Sequence, residues 1–144
     1  MEEPDYADVW ALLGSFTTQL RKELDSKLKH AGLRLIEMKV LSLSTNGQLT
    51  MNQIAEELSI TRAGITFLSD VMEKRGLIRK ERRSGDRRVI ILRPTRKGTM
   101  LLKKARVLQD EMLRKKLNCL EPRELVELRR LILKLIEISA ISEK

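Results

Sequence analysis

The sequence predicts a mainly α-helical protein with one small β-hairpin. Apolar residues recur at helical spacing through most of the 144 residues, as expected for amphipathic helices. The pattern changes to β-compatible runs only at 77–82 and 88–92, which flank the turn sequence Ser84-Gly85-Asp86. Hydrophobic residues make up 42% of the chain and aromatic residues only 3%. We therefore expect an aliphatic core, and not an aromatic sheet or barrel that stacks exposed bases.

The first part of the chain predicts three helices, with approximate ranges Tyr6 to His30, 34–44 and 51–58. Gly32 is well placed to end the first of them. Thr50 offers an N-cap to the third, and Gln53 is correctly spaced to complete a capping box with it.

A fourth helix follows the third after only two residues, Ser59 and Ile60. Thr61 can cap this helix, which is expected to run to about Arg75 and to stop at Gly76. Two helices joined by so short a turn predict a helix-turn-helix. The hairpin that follows is then the wing of a winged helix-turn-helix.

Two more helices are expected after the hairpin, from about Thr95 to Lys116 and from Pro122 onward. The last one has apolar residues on more than one side. One narrow face is enough for packing within a monomer, so the second face predicts a partner helix from another chain. We therefore expect a winged helix-turn-helix domain at 34–98 and a helical dimerisation region formed by 1–33 and 99–144.

Positive charge is concentrated in one part of the chain. The formal net charge is +9, and residues 61–98 hold twelve lysines and arginines against four acidic residues, which leaves +8 in that segment. A generic solvated surface would spread its charge more evenly. A basic segment within a winged helix-turn-helix predicts binding to double-stranded DNA. Residues 34–98 are therefore the expected DNA-binding domain.

Neither an enzyme nor a metal site is expected. Cys119 and His30 are the only cysteine and the only histidine, which leaves no disulfide framework, no cysteine-based zinc site and no Cys/His pair. A phosphate loop is also missing from the sequence, and no cofactor is predicted. The N-terminus is acidic and no segment is apolar enough to span a bilayer. We therefore expect a cytoplasmic protein without membrane contact.

The helix that starts at Thr61 has one face suited to DNA bases. Ile65, Leu68, Val71 and Met72 are expected to face the core. The N-terminal residues on the other side are small or hydrogen-bonding, as a helix in the major groove requires: Thr61, Arg62, Ala63, Gly64 and Thr66. Gly64 either allows close approach to DNA or packs against a neighbouring helix.

Phe67 lies at the expected boundary between the two faces of that helix. It either contacts a thymine methyl group or extends the core, and the core is the favoured interpretation. Both Phe67 and Gln53 are nevertheless included among the predicted DNA-binding residues.

The wing carries four arginines around its turn, namely Arg82, Arg83, Arg87 and Arg88. The negative potential of a narrow minor groove attracts inserted arginine side chains, so the wing is expected to straddle the backbone and probe that groove. Asp86 is unsuited to binding phosphate. We expect it to brace the wing by pairing with an arginine.

Residues 51–98 resemble the winged helix-turn-helix block of the multiple antibiotic resistance regulator (MarR) family. The most specific part is Asp86-Arg87-Arg88, followed by apolar strand residues and closed by Thr95-Arg96-Lys97-Gly98. The layout of nearly the whole chain is also similar. The resemblance implies a homodimer with interlocked terminal helices on a pseudo-palindromic DNA site. It also implies that Arg88 enters the minor groove and that Asp86 braces the wing. The residues it places in the major groove are Thr61, Arg62, Ala63, Gly64 and Thr66.

Two residues depart from the family pattern. Phe67 stands where members often have a polar or basic residue, and Pro94 stands where many have leucine, a change expected to alter only the strand end. Because members often respond to small phenolic or other anionic effectors, the resemblance implies such an effector here. Some relatives sense peroxides through a cysteine near the N-terminal helices. Cys119 lies instead between the last two helices and is expected to be buried and inert.

The sequence thus predicts a sequence-specific transcriptional regulator, a repressor, that binds double-stranded DNA as a homodimer. An architectural or non-specific DNA-binding protein of the same fold is the alternative. The small and Thr-rich recognition face, rather than continuous lysine, favours sequence specificity. A winged helix that binds only proteins is a third interpretation, against which the charge of residues 61–98 argues.

Overall fold

The computed structural model describes residues 3–142, which form six helices and one two-stranded antiparallel sheet. The elements in chain order are α1 (Tyr6–His30), α2 (Leu35–Ser44), α3 (Met51–Glu57), α4 (Arg62–Lys74), β1 (Ile78–Arg83), β2 (Asp86–Pro94), α5 (Arg96–Leu117) and α6 (Pro122–Ser142). The predicted class, mainly helical with a small hairpin, is confirmed.

The chain divides within α5 into two compact units, one up to Gln109 and one from Asp110 on. The first unit contains α1 to α4, the hairpin and the beginning of α5, and the second contains the end of α5 and α6. This division reflects which residues pack together and does not assign a function to either unit. The functional division into 34–98 and 1–33 with 99–144 stays a prediction.

The core of the first unit is aliphatic, as the composition predicts. Each helix and strand of this unit contributes buried side chains, among them Leu28, Leu41, Ile54, Ile65, Met72, Leu77, Leu92 and Leu102. Burial of a large aliphatic side chain stabilises the fold by about 1.5–3 kcal/mol. This core therefore holds α3, α4 and the hairpin together.

Three helices, α1, α3 and α4, end in the same hydrogen-bonded motif, in which two amides after the helix donate to its last carbonyls. After α3, the amides of Ser59 and Ile60 donate to carbonyls of the helix, each at a distance of 3.0 Å. The motif needs a left-handed residue, supplied by Gly32 (φ 76°) after α1 and Gly76 (φ 74°) after α4. Both predicted helix ends are confirmed. After α3 this position is Ser59 (φ 53°).

The helix-turn-helix is also fixed by side chains at the helix starts. The predicted capping box of α3 is confirmed, because the Thr50 amide donates to Gln53 Oε1 (2.8 Å) and the Gln53 amide donates to Thr50 Oγ1 (3.1 Å). Thr50 in addition forms an isolated antiparallel bridge with Ile91 of the wing. At the start of α4, Thr61 Oγ1 accepts from the Gly64 amide at 2.9 Å.

The hairpin has a bulge close to its tip. The register pairs Ile78 with Pro94 at the base and Arg82 with Ile90 further out, and then shifts so that Arg83 pairs with Asp86. Pro94 is the last residue of β2, which extends two residues beyond the predicted run 88–92. The predicted turn was one residue too long, since β2 already begins at Asp86. The bulge is the physical reason, because it lets the strand start early with extra residues on one side.

The second unit contains α6, which begins at Pro122 as predicted and has no buried residue. Near its middle, a hydrogen bond from Arg130 lowers the pKa of the Glu127 carboxyl below its usual range.

Cys119 is exposed, so the expectation of a buried thiol was wrong. The cysteine lies in the turn between α5 and α6, where no element covers it in the described chain, and its Sγ lies 3.7 Å from the Lys116 carbonyl oxygen.

Candidate nucleic-acid interface

The buried face of α4 differs slightly from the predicted one. Ile65, Leu68 and Met72 are buried as expected, but the fourth buried residue is Ser69, whereas Val71 is only half-buried. Ser69 can be buried because its hydroxyl donates to the Thr66 carbonyl at 3.0 Å. The core side of the helix is therefore rotated away from Val71.

This rotation places Phe67 on the outward face. Its side chain is 72% exposed, and at about 100° per residue it points about 150° away from the centre of the buried face. The favoured interpretation, that Phe67 extends the core, was wrong. The error came from assigning Val71 to the core, which moved the expected boundary towards Phe67.

The residues predicted to contact bases surround the start of α4. Thr61, Arg62, Ala63 and Thr66 are exposed, and Gly64 is half-buried. Thr61 Oγ1 already accepts a hydrogen bond from the helix, so its hydroxyl hydrogen is free to donate. The Thr66 hydroxyl donates to the Arg62 carbonyl at 2.8 Å, which leaves its oxygen as an acceptor.

Gly64 does not pack against a neighbouring helix, so that alternative was wrong. A Cβ atom at this position would lie 3.1 Å from Thr61 Oγ1 and 3.8 Å from the Ile60 Cβ atom. Both atoms belong to the short segment that precedes α4. Close approach to DNA stays the prediction for this glycine.

Gln53 is exposed on α3, but half of its amide is already engaged. Its Oε1 accepts from the Thr50 amide in the capping box. The side-chain NH2 group is the part that can donate to a phosphate.

The bulge of the wing is held by two side chains. Arg82 donates from its guanidinium to the Arg87 carbonyl at 2.7 Å, across the hairpin. Asp86 Oδ1 accepts from the main-chain amide of Arg88 at 3.1 Å. The expected ion pair between Asp86 and an arginine is not formed within residues 3–142, because the carboxylate is turned onto the main chain of its own strand.

The other acidic side chains of residues 61–98 are also engaged within that segment. Asp70 pairs with Lys80, and Glu81 pairs with Arg93. Glu73 accepts from the Lys80 amide at 2.9 Å. The four arginines of the wing are all exposed. Positive charge therefore dominates the outer surface of the wing.

One cluster near the end of α4 was missed by sequence reasoning. Glu37 is only 2% exposed, and its carboxylate accepts from Arg75 Nη1 at 2.8 Å and from the Arg34 amide at 2.9 Å. Arg75 also donates to the Gly32 carbonyl, and its own carbonyl accepts from Lys97 Nζ at 2.9 Å. The available signal was Glu37, an acidic residue three positions after the N-cap of α2. It was overlooked because the N-cap residue, Arg34, has no side-chain oxygen to complete a capping box.

The closing residues of the family signature join the hairpin to α5. The Thr95 amide donates to the Leu77 carbonyl at 3.0 Å, and Thr95 Oγ1 accepts from the Gly98 amide at 3.1 Å. A Cβ atom on Gly98 would lie 2.0 Å from that Leu77 oxygen. Only glycine allows this contact without displacing the main chain.

A capped helix with an exposed, hydrogen-bonding start, followed by an arginine-rich wing on the same core, defines a winged helix-turn-helix DNA-binding regulator. Residues 38–90 match the family model described as MarR family. The chain is 24% identical over 139 residues to the HTH-type transcriptional repressor MdtR of Bacillus subtilis (strain 168), an alignment that covers 96% of this chain and 90% of MdtR. Over residues 38–90 this protein is therefore similar to the MarR family, and over nearly its whole length it is similar to a transcriptional repressor.

Solved structures support the same fold. The transcriptional regulator BldR from Sulfolobus solfataricus is 26% identical with a TM-score of 0.73, and the match covers 91% of this chain and 99% of BldR. Streptococcus pneumoniae FabT in complex with DNA is 21% identical with a TM-score of 0.78, over 94% of this chain and 98% of FabT. In the described part of this chain, no helix is long and apolar enough to cross a membrane.

Proposed function

We propose that this protein is a cytoplasmic transcriptional repressor that binds a pseudo-palindromic DNA operator as a homodimer. The observation that carries the proposal is the juxtaposition, in one compact unit, of the exposed start of α4 with a wing whose acidic side chains are engaged internally. The names of the relatives give independent support, since MdtR is a repressor and FabT was solved with DNA.

The start of α4 enters the major groove in this proposal. Arg62 and the hydroxyl groups of Thr61 and Thr66 form hydrogen bonds with base edges or the adjacent phosphate, while Ala63 and Gly64 allow close approach. The free NH2 group of Gln53 donates to a backbone phosphate.

The wing inserts Arg88 into the minor groove, and Arg83 and Arg87 contact the phosphates on either side. Arg82 is held by the Arg87 carbonyl, so it contributes charge and keeps the bulge closed. Asp86 braces the wing by fixing the main chain at Arg88. Bulges change the direction of nearby side chains, which suits this role.

The proposed dimer buries the apolar surfaces of the terminal helices. In the isolated protomer, Tyr6 and Trp10 of α1 are 81% and 78% exposed, and Ile141 of α6 is 74% exposed. Apolar faces of this size on helices at both ends of the chain support a partner chain. Residues 1–33 and 99–144 accordingly form the dimerisation region, and 34–98 bind DNA.

A small anionic or phenolic effector is proposed to release the DNA. An open groove of about 330 Å³ within the first unit supports this proposal, because it is large enough for a small aromatic acid. It lies between α1 and α2, and its lining includes one acidic side chain, Asp25, which accepts from the Leu35 amide. Its basic lining side chains are Arg21, Lys22, Arg34 and Lys39.

The proposal is tested by footprinting the purified protein on the DNA that flanks its own gene. The affinity for the protected duplex is then compared with that for random DNA over a salt series. A regulator binds its operator about 10³-fold or more tightly than random DNA. Equal affinities at all salt concentrations would leave only the architectural alternative.

Two matched wing variants separate groove recognition from general charge. Arg88→Ala is expected to weaken operator binding by about 1–3 kcal/mol, because the groove contact is lost. Arg83→Ala removes the same charge and should weaken operator and random DNA about equally. Sedimentation should show both variants as dimers. If both variants lose the same affinity on both DNAs, Arg88 makes no groove contact of its own.

A further inference from the structure

We infer that Phe67 makes the recognition helix selective for thymine, by packing its ring against thymine methyl groups in the major groove. The inference rests on the proposed DNA-binding function and specifies what the outward face of α4 recognises. Among the described residues between the end of α1 and the start of α5, Phe67 is the one large apolar side chain that is exposed. A single exposed apolar residue is ordinary in itself. Its position on the helix supplies the argument.

Phe67 lies at the centre of the outward face, one helical turn after Ala63 and next to Thr66. We call these three side chains the apolar patch. The Thr66 hydroxyl donates to the Arg62 carbonyl, which leaves its oxygen able to accept a hydrogen bond, while its methyl group remains available for an apolar contact. Side chains on a helix lean towards its N-terminus, which brings the Phe67 ring towards Ala63 and the end of α4 that enters the groove.

Charge does not oppose this contact. Asp70 is the acidic residue closest to Phe67 on the outward face of α4, and its carboxylate is paired with Lys80 of β1. A free carboxylate at this position would be repelled by the phosphates, whereas the ion pair removes its net charge.

The largest apolar group on the floor of the major groove is the C5-methyl group of thymine, where cytosine has only a C5 hydrogen. The other groups that bases expose there are hydrogen-bond donors and acceptors, which a phenyl ring cannot satisfy. A ring placed against them would leave polar groups unpaired. The apolar patch therefore matches thymine and disfavours the other bases at the positions it touches.

The test compares thymine with uracil, which lacks only the methyl group. A duplex is selected from a random pool with the full-length protein, and the thymines of the protected half-site are replaced one at a time by uracil. The wild-type protein should lose about fourfold in affinity at each contacted position, the value for one buried methyl group. Thymines outside the footprint serve as the DNA control.

Three variants complete the experiment. Phe67→Ala should bind the thymine duplex more weakly and no longer distinguish it from the uracil duplex. Phe67→Leu keeps an apolar side chain and should retain the discrimination. Arg88→Ala changes the wing alone, so it should weaken binding but leave the thymine-to-uracil ratio unchanged.

Two results overturn the inference: equal wild-type affinity for the thymine and uracil duplexes at every position, or retained discrimination in Phe67→Ala. A ring that contacts only the sugar-phosphate backbone gives the first result, together with weaker binding of Phe67→Ala to both duplexes. If the random pool yields no preferred sequence at all, the proposed regulatory function fails as well. A preferred sequence without a uracil effect refutes only the role of Phe67.

Discussion

Replacing Gly98 with alanine should destabilise the protein severely. The new Cβ atom would lie 2.0 Å from the Leu77 carbonyl oxygen and 3.0 Å from Leu41 Cδ2. The oxygen belongs to the main chain at the start of the hairpin, so it cannot move as a flexible side chain would. The start of α5 must shift by more than about 1 Å, a displacement large enough to strain the packing around it.

The cost of Gly98→Ala follows from what this shift disrupts. Overpacking of a filled site costs about 1–3 kcal/mol, and loss of the Thr95 to Leu77 hydrogen bond adds about 1 kcal/mol. The higher helix propensity of alanine returns up to about 1 kcal/mol. We expect a net loss of about 1–4 kcal/mol, equivalent to a fall in Tm of about 2–16 °C for a chain of this size.

Gly14→Ala is the matched control for Gly98→Ala. Gly14 is also helical, but a Cβ atom there would meet nothing within 4 Å in the protomer. Alanine should therefore stabilise α1 by about 0.5–1 kcal/mol. Both variants are unfolded in urea at one protomer concentration, since dimerisation would make stability depend on concentration. Stability of Gly98→Ala equal to or above that of the wild type would refute the reasoning.

Two further substitutions test the helix ends. Ser59→Val should cost about 1–2 kcal/mol of unfolding free energy, because a β-branched residue tolerates φ 53° poorly, whereas Ser59→Gly should cost nothing; equal urea midpoints would contradict this. Arg75→Ala should cost about 2–3 kcal/mol, because it leaves the buried Glu37 carboxylate without its cation. Adding Glu37→Gln to Arg75→Ala should recover part of that loss, and no recovery would show that the cost does not come from the unpaired charge.

Local signals in the sequence predicted much of the fold. The ends at Gly32 and Gly76, the capping box at Thr50 and the start at Pro122 each depend on a few neighbouring residues. The closing glycine of the signature, Gly98, was noted as a motif, but its contact with Leu77 lies far away in sequence. Such a contact becomes visible only once the elements are packed.

The errors arose where packing between elements decides the outcome. Ser69 is buried because a hydroxyl can be satisfied inside its own helix, and periodicity based on apolar residues assigned that place to Val71. Because Ser69 and not Val71 is buried, the buried face of α4 is turned away from Phe67, and Phe67 is exposed. Cys119 was expected to be buried because free cysteines usually are. It is exposed because it lies in a turn of the second unit.

Arg75 has a consequence for how motion can pass through the first unit. Its guanidinium connects the end of the recognition helix to Gly32, in the turn that follows α1, and to Glu37 in the first turn of α2. Its carbonyl is connected to α5 through Lys97. A rotation of α1 about its end must therefore either break the bond to Gly32 or carry α4 with it. Arg75 therefore joins four elements of the first unit at one point beside the end of the recognition helix.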